Sequence, residues 1–285
     1  MKYNLSQKST IEKILKNAGF TFKKSLGQNF LTDPFVCPEM AAASADCETG
    51  VLEIGPGIGV LTAELCEVAK KVVTIELDER LRPVLAETLS DFDNVKVIFG
   101  DAMKLNLHQI IEENFSDCKR VAVCANLPYY ITSPIIMMLL ESRLPIESIT
   151  VMIQKEAAER LSADIPSRNA GAVTLSAAFY AESSILFNVG RNSFTPAPNV
   201  DSAVIKLNIR KTPPVSVISE KELFKLIRAA FTHRRKTLVN SVSACGIAEK
   251  GKILSALESL NLKETARAEE LSLEQFAALS DFLVK

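Results

Sequence analysis

The chain has 285 residues, 47% hydrophobic and 24% charged, with a formal net charge of −1. That balance excludes a disordered or fibrous chain, and at ~150 residues per domain it suits one large domain or two unequal ones with a full apolar core. The longest purely apolar run, residues 135–140, falls far short of the ~20 residues that cross a membrane, and the polar first ten residues do not read as a secretory signal.

The N-terminal arm is basic, with Lys2, Lys8, Lys13, Lys16, Lys23 and Lys24. Beyond it, short β-branched runs alternate with amphipathic stretches. Strands are expected at residues 51–54, 72–76, 95–99, 121–125 and 149–153, with helices at 58–69 and 79–90 among them. Such alternation predicts a parallel sheet covered on both faces. Two further strands, 185–189 and 203–209, lie close together and predict an antiparallel edge. Thr212-Pro213-Pro214 ends the pattern. Helices are expected at 220–231, 234–243, 249–260 and 273–283, the last opened by a Ser272/Gln275 capping box. The boundary is placed near residue 211, giving a domain of residues 1–211 and a small helical domain of residues 212–285.

Glu53-Ile54-Gly55-Pro56-Gly57-Ile58-Gly59 follows a strand and opens a helix. Glycines there let the backbone turn tightly and approach a ligand closely. Glu76 ends the next strand, about 20 residues on, where an acid can accept hydrogen bonds from ribose hydroxyls. Leu77 follows it, and Asp101-Ala102 follows the third strand. A dinucleotide loop would carry glycine at position 60, where this chain has Val60, and no Gly-Lys-Ser/Thr marks a P-loop. The pattern is the S-adenosylmethionine (SAM) version, built for room rather than for a pyrophosphate.

Asn126-Leu127-Pro128-Tyr129 ends the fourth strand and resembles the Asn-Pro-Pro-Tyr-like motif of adenine N6 methyltransferases. An exocyclic amine is a poor nucleophile because its lone pair is delocalised into the ring. An Asn oxygen and a backbone carbonyl can accept its two hydrogens and aim the lone pair at a methyl donor. Positioning and electrostatics would then carry the reaction without a strong base. Tyr129 can stack on an extruded base, and Phe194, on the loop Phe194-Thr195-Pro196-Ala197-Pro198, can cover its other face.

The six cysteines form no C-x-x-C pair, and His108 and His233 are the only histidines. A zinc site and a His-dependent hydrolase are therefore disfavoured, no metal is expected, and the thiols read as buried in a reducing cytoplasm. Charge is uneven along the chain. Residues 224–244 hold Lys225, Arg228, Arg234, Arg235 and Lys236 with no acid, whereas residues 258–281 are mostly acidic. The basic stretch reads as an RNA footprint or as a solvated face.

Lys24 to Leu31, Glu53 to Gly59, Ile75 to Asp78, Gly100 to Ala102, Asn126 to Tyr129, Phe194 to Ser202 and Phe231 to Asn240 occur in that order. Together they resemble the KsgA/RsmA family of rRNA adenine dimethyltransferases. The resemblance implies a Rossmann-like SAM-dependent methyltransferase sheet with a small α-helical C-terminal domain. It implies dimethylation at N6 of two adjacent adenines near the 3′ end of small-subunit rRNA, in a late assembly intermediate, in the cytoplasm, by a monomer. Carried onto this chain, SAM contacts fall on Gln28, Asn29, Leu31, Gly55, Gly57, Glu76, Leu77, Asp101, Ala102 and Asn126. The reacting centre falls on Asn126, Leu127, Pro128, Tyr129 and Phe194. RNA contacts are expected from Lys23, Lys24, Arg228, Arg234, Arg235 and Lys236. Two other readings share parts of the pattern: an Erm-like large-subunit rRNA methyltransferase, and a non-catalytic RNA-binding factor on the same fold.

Overall fold

Valine- and isoleucine-rich runs build the centre of the molecule, because β-branched side chains pack well on a pleated surface buried on both faces. The computed structural model describes residues 30–233 and 235–284, together with 5, 7, 9, 10, 13 and 14. In chain order the strands are β1 (Phe30–Leu31), β2 (Thr49–Ile54), β3 (Lys71–Glu76), β4 (Val95–Phe99), β5 (Arg120–Asn126), β6 (Ser148–Gln154), β7 (Ala181–Val189), β8 (Phe194–Thr195) and β9 (Ser202–Ile209). Seven of them form one sheet in the order β4-β3-β2-β5-β6-β9-β7. The pairs from β4 to β6 are parallel, and β9 runs antiparallel to β6 with Val151 opposite Ile205. All six residues of β2 are buried, whereas most of β7, at the sheet's edge, is not. The expected parallel sheet with an antiparallel edge is thus the observed one.

Helices fill the crossovers that parallel strands require. Val36–Ser44 packs on Val60–Val68 and on β5 and β6. Met40, Leu65, Val72 and Cys124 share one buried cluster there. Leu5 and Ile14 of the N-terminal arm are buried in a second cluster with Ile58, Leu81 and Leu85.

Three helix boundaries differ from expectation, each for a local reason. The helix expected from residue 58 starts at Val60, because Gly59 takes φ +90° at its N-cap. The stretch expected as one helix over 79–90 is a 3₁₀ turn, Glu79–Leu81, and then a helix, Arg82–Thr88. Asp78 caps the turn by accepting the Arg80 N–H at 3.2 Å, and Pro83 sits in the first turn of the helix, where its missing N–H costs nothing. The helix expected from 234 begins at Leu238, with Thr237 as its cap, so Arg235 and Lys236 precede it in a turn.

The chain divides into two compact units, one of residues 1–158 with 184–209, the other of residues 159–183 with 210–285. The second is helical, with Ala172–Tyr180, Glu220–Thr232, Leu238–Ala244, Lys250–Ser259 and Leu273–Val284. Phe179 and Tyr180 pack on Phe224 at ring distances of 5.2 and 5.4 Å. The capping box at residue 272 is present: the Ser272 N–H donates to Gln275 Oε1 at 2.8 Å and the Gln275 N–H to Ser272 Oγ at 3.3 Å. Among the described residues no helix is long and apolar enough to cross a membrane.

Candidate active site

The chain leaves β2 to run outward through β3 and β4, then returns to start β5 on the other flank of β2. Open α/β sheets bind ligands at that reversal, outside the carboxyl ends of the strands. A cavity opens there, walled by the residues that follow β2, β3, β4 and β5. Its volume is 170 Å³, about ten times the ~10–15 Å³ that a single water needs, so the cavity admits an organic ligand.

The glycine loop forms its floor. Gly55, Gly57 and Gly59 hold φ of +74°, +59° and +90°, a region that costs other L-residues roughly 1–2 kcal/mol. A Cβ on Gly55 would meet nothing within 4 Å, whereas one on Gly59 would press on Leu89 at 3.1 Å and Thr88 at 3.2 Å. Gly59 is thus a packing glycine, and Gly55 keeps open space beside the backbone.

Glu76 is only 6% exposed. Its Oε1 accepts the Asp78 N–H at 2.7 Å and its Oε2 the Gly57 N–H at 3.3 Å. These bonds tie the acid to the glycine loop and orient it on the cavity wall. Burial raises its pKa, while the same backbone donors act to lower it. The Leu77 N–H acts on it as well, so of a carboxylate's roughly four lone-pair sites at least one remains for a ligand. Asp101 is half-buried on the same wall, its Oδ1 accepting the Met103 N–H at 3.0 Å. Leu77 and Ala102 supply apolar surface beside the two acids.

Behind the loop lies an acid that sequence reasoning passed over. Glu53, in β2, is 1% exposed, and the Thr62 hydroxyl donates to its Oε2 at 2.7 Å. Burial pushes its pKa up to about 7; the Thr62 and Thr74 hydroxyls oppose that shift and the nearby charge of Glu76 adds to it. Nothing in the sequence distinguishes a glutamate facing a buried threonine from one facing a ligand.

β5 delivers the opposite wall. The register sets Glu53 against Cys124, so the glycine loop and Asn126 emerge side by side. Asn126, Leu127, Pro128 and Tyr129 all line the cavity. The Asn126 side-chain amide has no hydrogen-bond partner among the described residues, which leaves it open to a ligand. Leu127 is buried, so its side chain serves packing and only its backbone can face a reactant; its N–H donates to the Met152 carbonyl at 3.2 Å. The Tyr129 hydroxyl meets Ser202 Oγ at 2.7 Å, which fixes the phenol ring.

Leu31 and Phe194 are register partners in the small β1–β8 ladder, and both reach the cavity. The Ser193 hydroxyl donates to Asp33 Oδ2 at 2.8 Å, and the Thr32 N–H to the Ser193 carbonyl at 2.8 Å. Two motifs far apart in sequence are thereby pinned together. Cys37, Met103, Tyr130 and Ile135 also line the cavity, without a motif that marks them.

Gln28, Asn29, Lys23, Lys24 and Arg234 lie outside the described residues. Arg228, Arg235 and Lys236 are exposed in the helical unit and are not among the residues that line the cavity. The turn that holds the last two is built: the Lys236 N–H donates to the His233 carbonyl at 2.8 Å, and Ser241 Oγ bridges the Ala229 carbonyl and the His233 N–H. Among the described residues none of these three cations makes an ion pair.

Residues 19–285 match the family model for ribosomal RNA adenine dimethylase. The chain is 49% identical over 278 residues to the ribosomal RNA small subunit methyltransferase A of Bacillus pumilus, covering 96% of this chain and 95% of that one. In structure it is similar to a dimethyladenosine transferase from Plasmodium falciparum, with a TM-score of 0.71 at 28% identity over 87% of this chain and 95% of that one. It is also similar to the 23S rRNA methyltransferase ErmE, with a TM-score of 0.67 at 27% identity over 90% of this chain and all of that one. A family match across nearly the whole chain, on a sheet whose switch point carries the glycine loop and the Asn-Leu-Pro-Tyr turn, makes this chain a member of the ribosomal RNA adenine dimethylase family.

Proposed function

We propose that this protein transfers methyl groups from SAM to N6 of two adjacent adenines near the 3′ end of small-subunit rRNA. It would act as a monomer, in the cytoplasm, on a late assembly intermediate. The observation that carries the reading is the Asn126 amide on the cavity wall opposite Glu76, which has no hydrogen-bond partner among the described residues.

The residues fit the methyl donor. When bound, SAM supplies an electrophilic methyl group on a sulfonium centre. Glu76 has at least one lone-pair site left for a ribose hydroxyl, and Gly55 leaves space beside the backbone. Leu77, Asp101 and Ala102 offer apolar flanks and an acceptor for a purine, with Leu31 beside the floor. On the other wall, Asn126 Oδ1 and the Leu127 carbonyl accept the two hydrogens of the target amine. That arrangement favours a pyramidal nitrogen with its lone pair free, and a preformed set of acceptors needs no reorganisation during transfer. Tyr129, fixed through Ser202, offers a rigid ring surface to the extruded base, and Phe194, expected to cover the other face, is packed in the core cluster and backs the cavity wall.

Arg228, Arg235 and Lys236, exposed and without acidic partners among the described residues, support an RNA-facing helical unit. The small-subunit assignment rests on relatives in the 44–49% identity range that carry that name, whereas likeness to ErmE stands at 27%. The test is incubation with labelled SAM of small subunits that lack the mark, and separately of large subunits, followed by nucleoside analysis. Label in dimethyladenosine of the small subunit is expected; label only in the large subunit would replace this reading with the Erm-like one.

A further inference from the structure

Three large apolar side chains on the cavity wall are exposed: Leu77, Met103 and Tyr130. Leu77 and Met103 follow β3 and β4, on the acid-bearing flank of the glycine loop. Tyr130 follows β5, on the opposite flank, beside Asn126. It is 59% exposed, whereas Phe194 is 5% exposed and sits in the core cluster. The Tyr129 hydroxyl is committed to Ser202. Among the described residues the Tyr130 hydroxyl has no partner.

Its backbone is nevertheless fixed. The Ile131 N–H donates to the Pro128 carbonyl at 3.1 Å, and the Thr132 hydroxyl donates to the same oxygen at 3.2 Å. A rigid turn thus presents an unpartnered aromatic ring at the cavity mouth. Exposing such a surface forgoes the burial free energy of an aromatic side chain unless a ligand covers it.

Extruding one base from a strand strips its neighbour of a stacking partner. The neighbour is then left with a bare π-face just outside the cavity, within reach of an exposed ring on its wall. We propose that Tyr130 is the platform on which the other adenine of the adjacent pair stacks while its neighbour occupies the reacting centre. This rests on the rRNA adenine reading above. Base–aromatic stacking is worth roughly 5- to 150-fold in affinity per base. Tyr130 would therefore help set which nucleotide neighbours are accepted, while leaving SAM binding untouched.

The test pairs a protein change with an RNA change. Small subunits are reconstituted from rRNA in which one adenine of the pair is replaced by an abasic nucleotide, and methyl transfer to the remaining adenine is followed. With intact rRNA, Tyr130→Ala should weaken the apparent affinity for subunits by about tenfold. The abasic substitution should do the same to the unsubstituted protein. Combined, they should cost no more than either alone, because both remove the same stacking interaction. Tyr130→Phe keeps the ring and should keep the coupling to the abasic change. Melting temperature and SAM affinity of Tyr130→Ala should match the parent protein. Unaltered subunit affinity, or losses that multiply, would overturn the platform while leaving the rRNA reading intact. A parent protein that transfers no methyl group to the subunits would overturn both.

Discussion

Glu76 and Glu53 are two buried glutamates with different tasks. The sequence marks Glu76 as a candidate ribose acceptor because it ends a strand at a set distance after a glycine loop. Its hydrogen bonds to the Gly57 and Asp78 N–H groups add what spacing could not: the acid and the loop are one unit. Glu76→Ala should cost about 1.5–3 kcal/mol of SAM binding, through the loss of charge-assisted hydrogen bonds. Calorimetric titration with SAM checks this, and parent-like affinity in a folded variant would count against it. Glu53 was not legible, since period-two patterning does not say which buried face carries a threonine. Its pKa is raised from 4.5 to about 7 by burial. The native state therefore holds the proton more tightly than the unfolded chain does. The stability this gives is fully present below pH 4.5 and is lost as pH rises through about 7. The loss amounts to roughly 3 kcal/mol at most, at 1.36 kcal/mol per pKa unit. Glu53→Gln cannot ionise, so its melting temperature should match the parent near pH 4 and exceed it at pH 8. Parallel melting curves across that range would refute the assignment. Tyr130 was hidden for another reason: exposure belongs to the folded turn, and Tyr129 beside it carried the motif.

At the scale of elements, the β-branched runs placed seven strands to within a few residues, because a doubly covered sheet needs continuous apolar segments. The two-residue strands β1 and β8 escaped notice. Their pairing depends on Leu31 meeting Phe194 across the fold, and no local pattern encodes a partner so distant. Helix starts were misjudged wherever a cap outweighed the apolar periodicity, as at Gly59, Asp78 and Thr237. Gly59 tests the point. It combines φ +90° with a Cβ position 3.1 Å from Leu89. Gly59→Ala should destabilise the fold by about 1–3 kcal/mol, from left-handed strain plus overpacking. Thermal unfolding should fall by about 2–4 °C for each kcal/mol. A variant that melts with the parent would mean that the loop relaxes at no cost.

At the scale of the whole molecule, a near-neutral chain conceals a basic turn. Ion pairing with the acidic tail was the competing account of these cations. Among the described residues Arg228, Arg235 and Lys236 make no such pair. If they face phosphates, neutralising Arg235 and Lys236 together with Arg234 should flatten the salt dependence of small-subunit binding. Each phosphate that goes unneutralised lowers the log–log slope by up to ~0.9, or nearer ~0.7 on single-stranded RNA. Melting temperature and SAM affinity should not change. An earlier melt with an unchanged slope would return these residues to a structural role.

In the proposed function the Asn126 amide, on the wall opposite Glu76, presents the adenine amine for methyl transfer. Its most direct test is single-turnover methyl transfer at saturating SAM, on small subunits lacking the mark, by the parent protein and by Asn126→Ala. The parent should convert both adjacent adenines to dimethyladenosine. The variant should bind subunits with parent affinity and transfer methyl groups at least 100-fold more slowly, the loss of about 2.7 kcal/mol expected when an oriented polar group is removed from a reacting centre. Near-parent turnover by Asn126→Ala would mean that Asn126 does not present the amine.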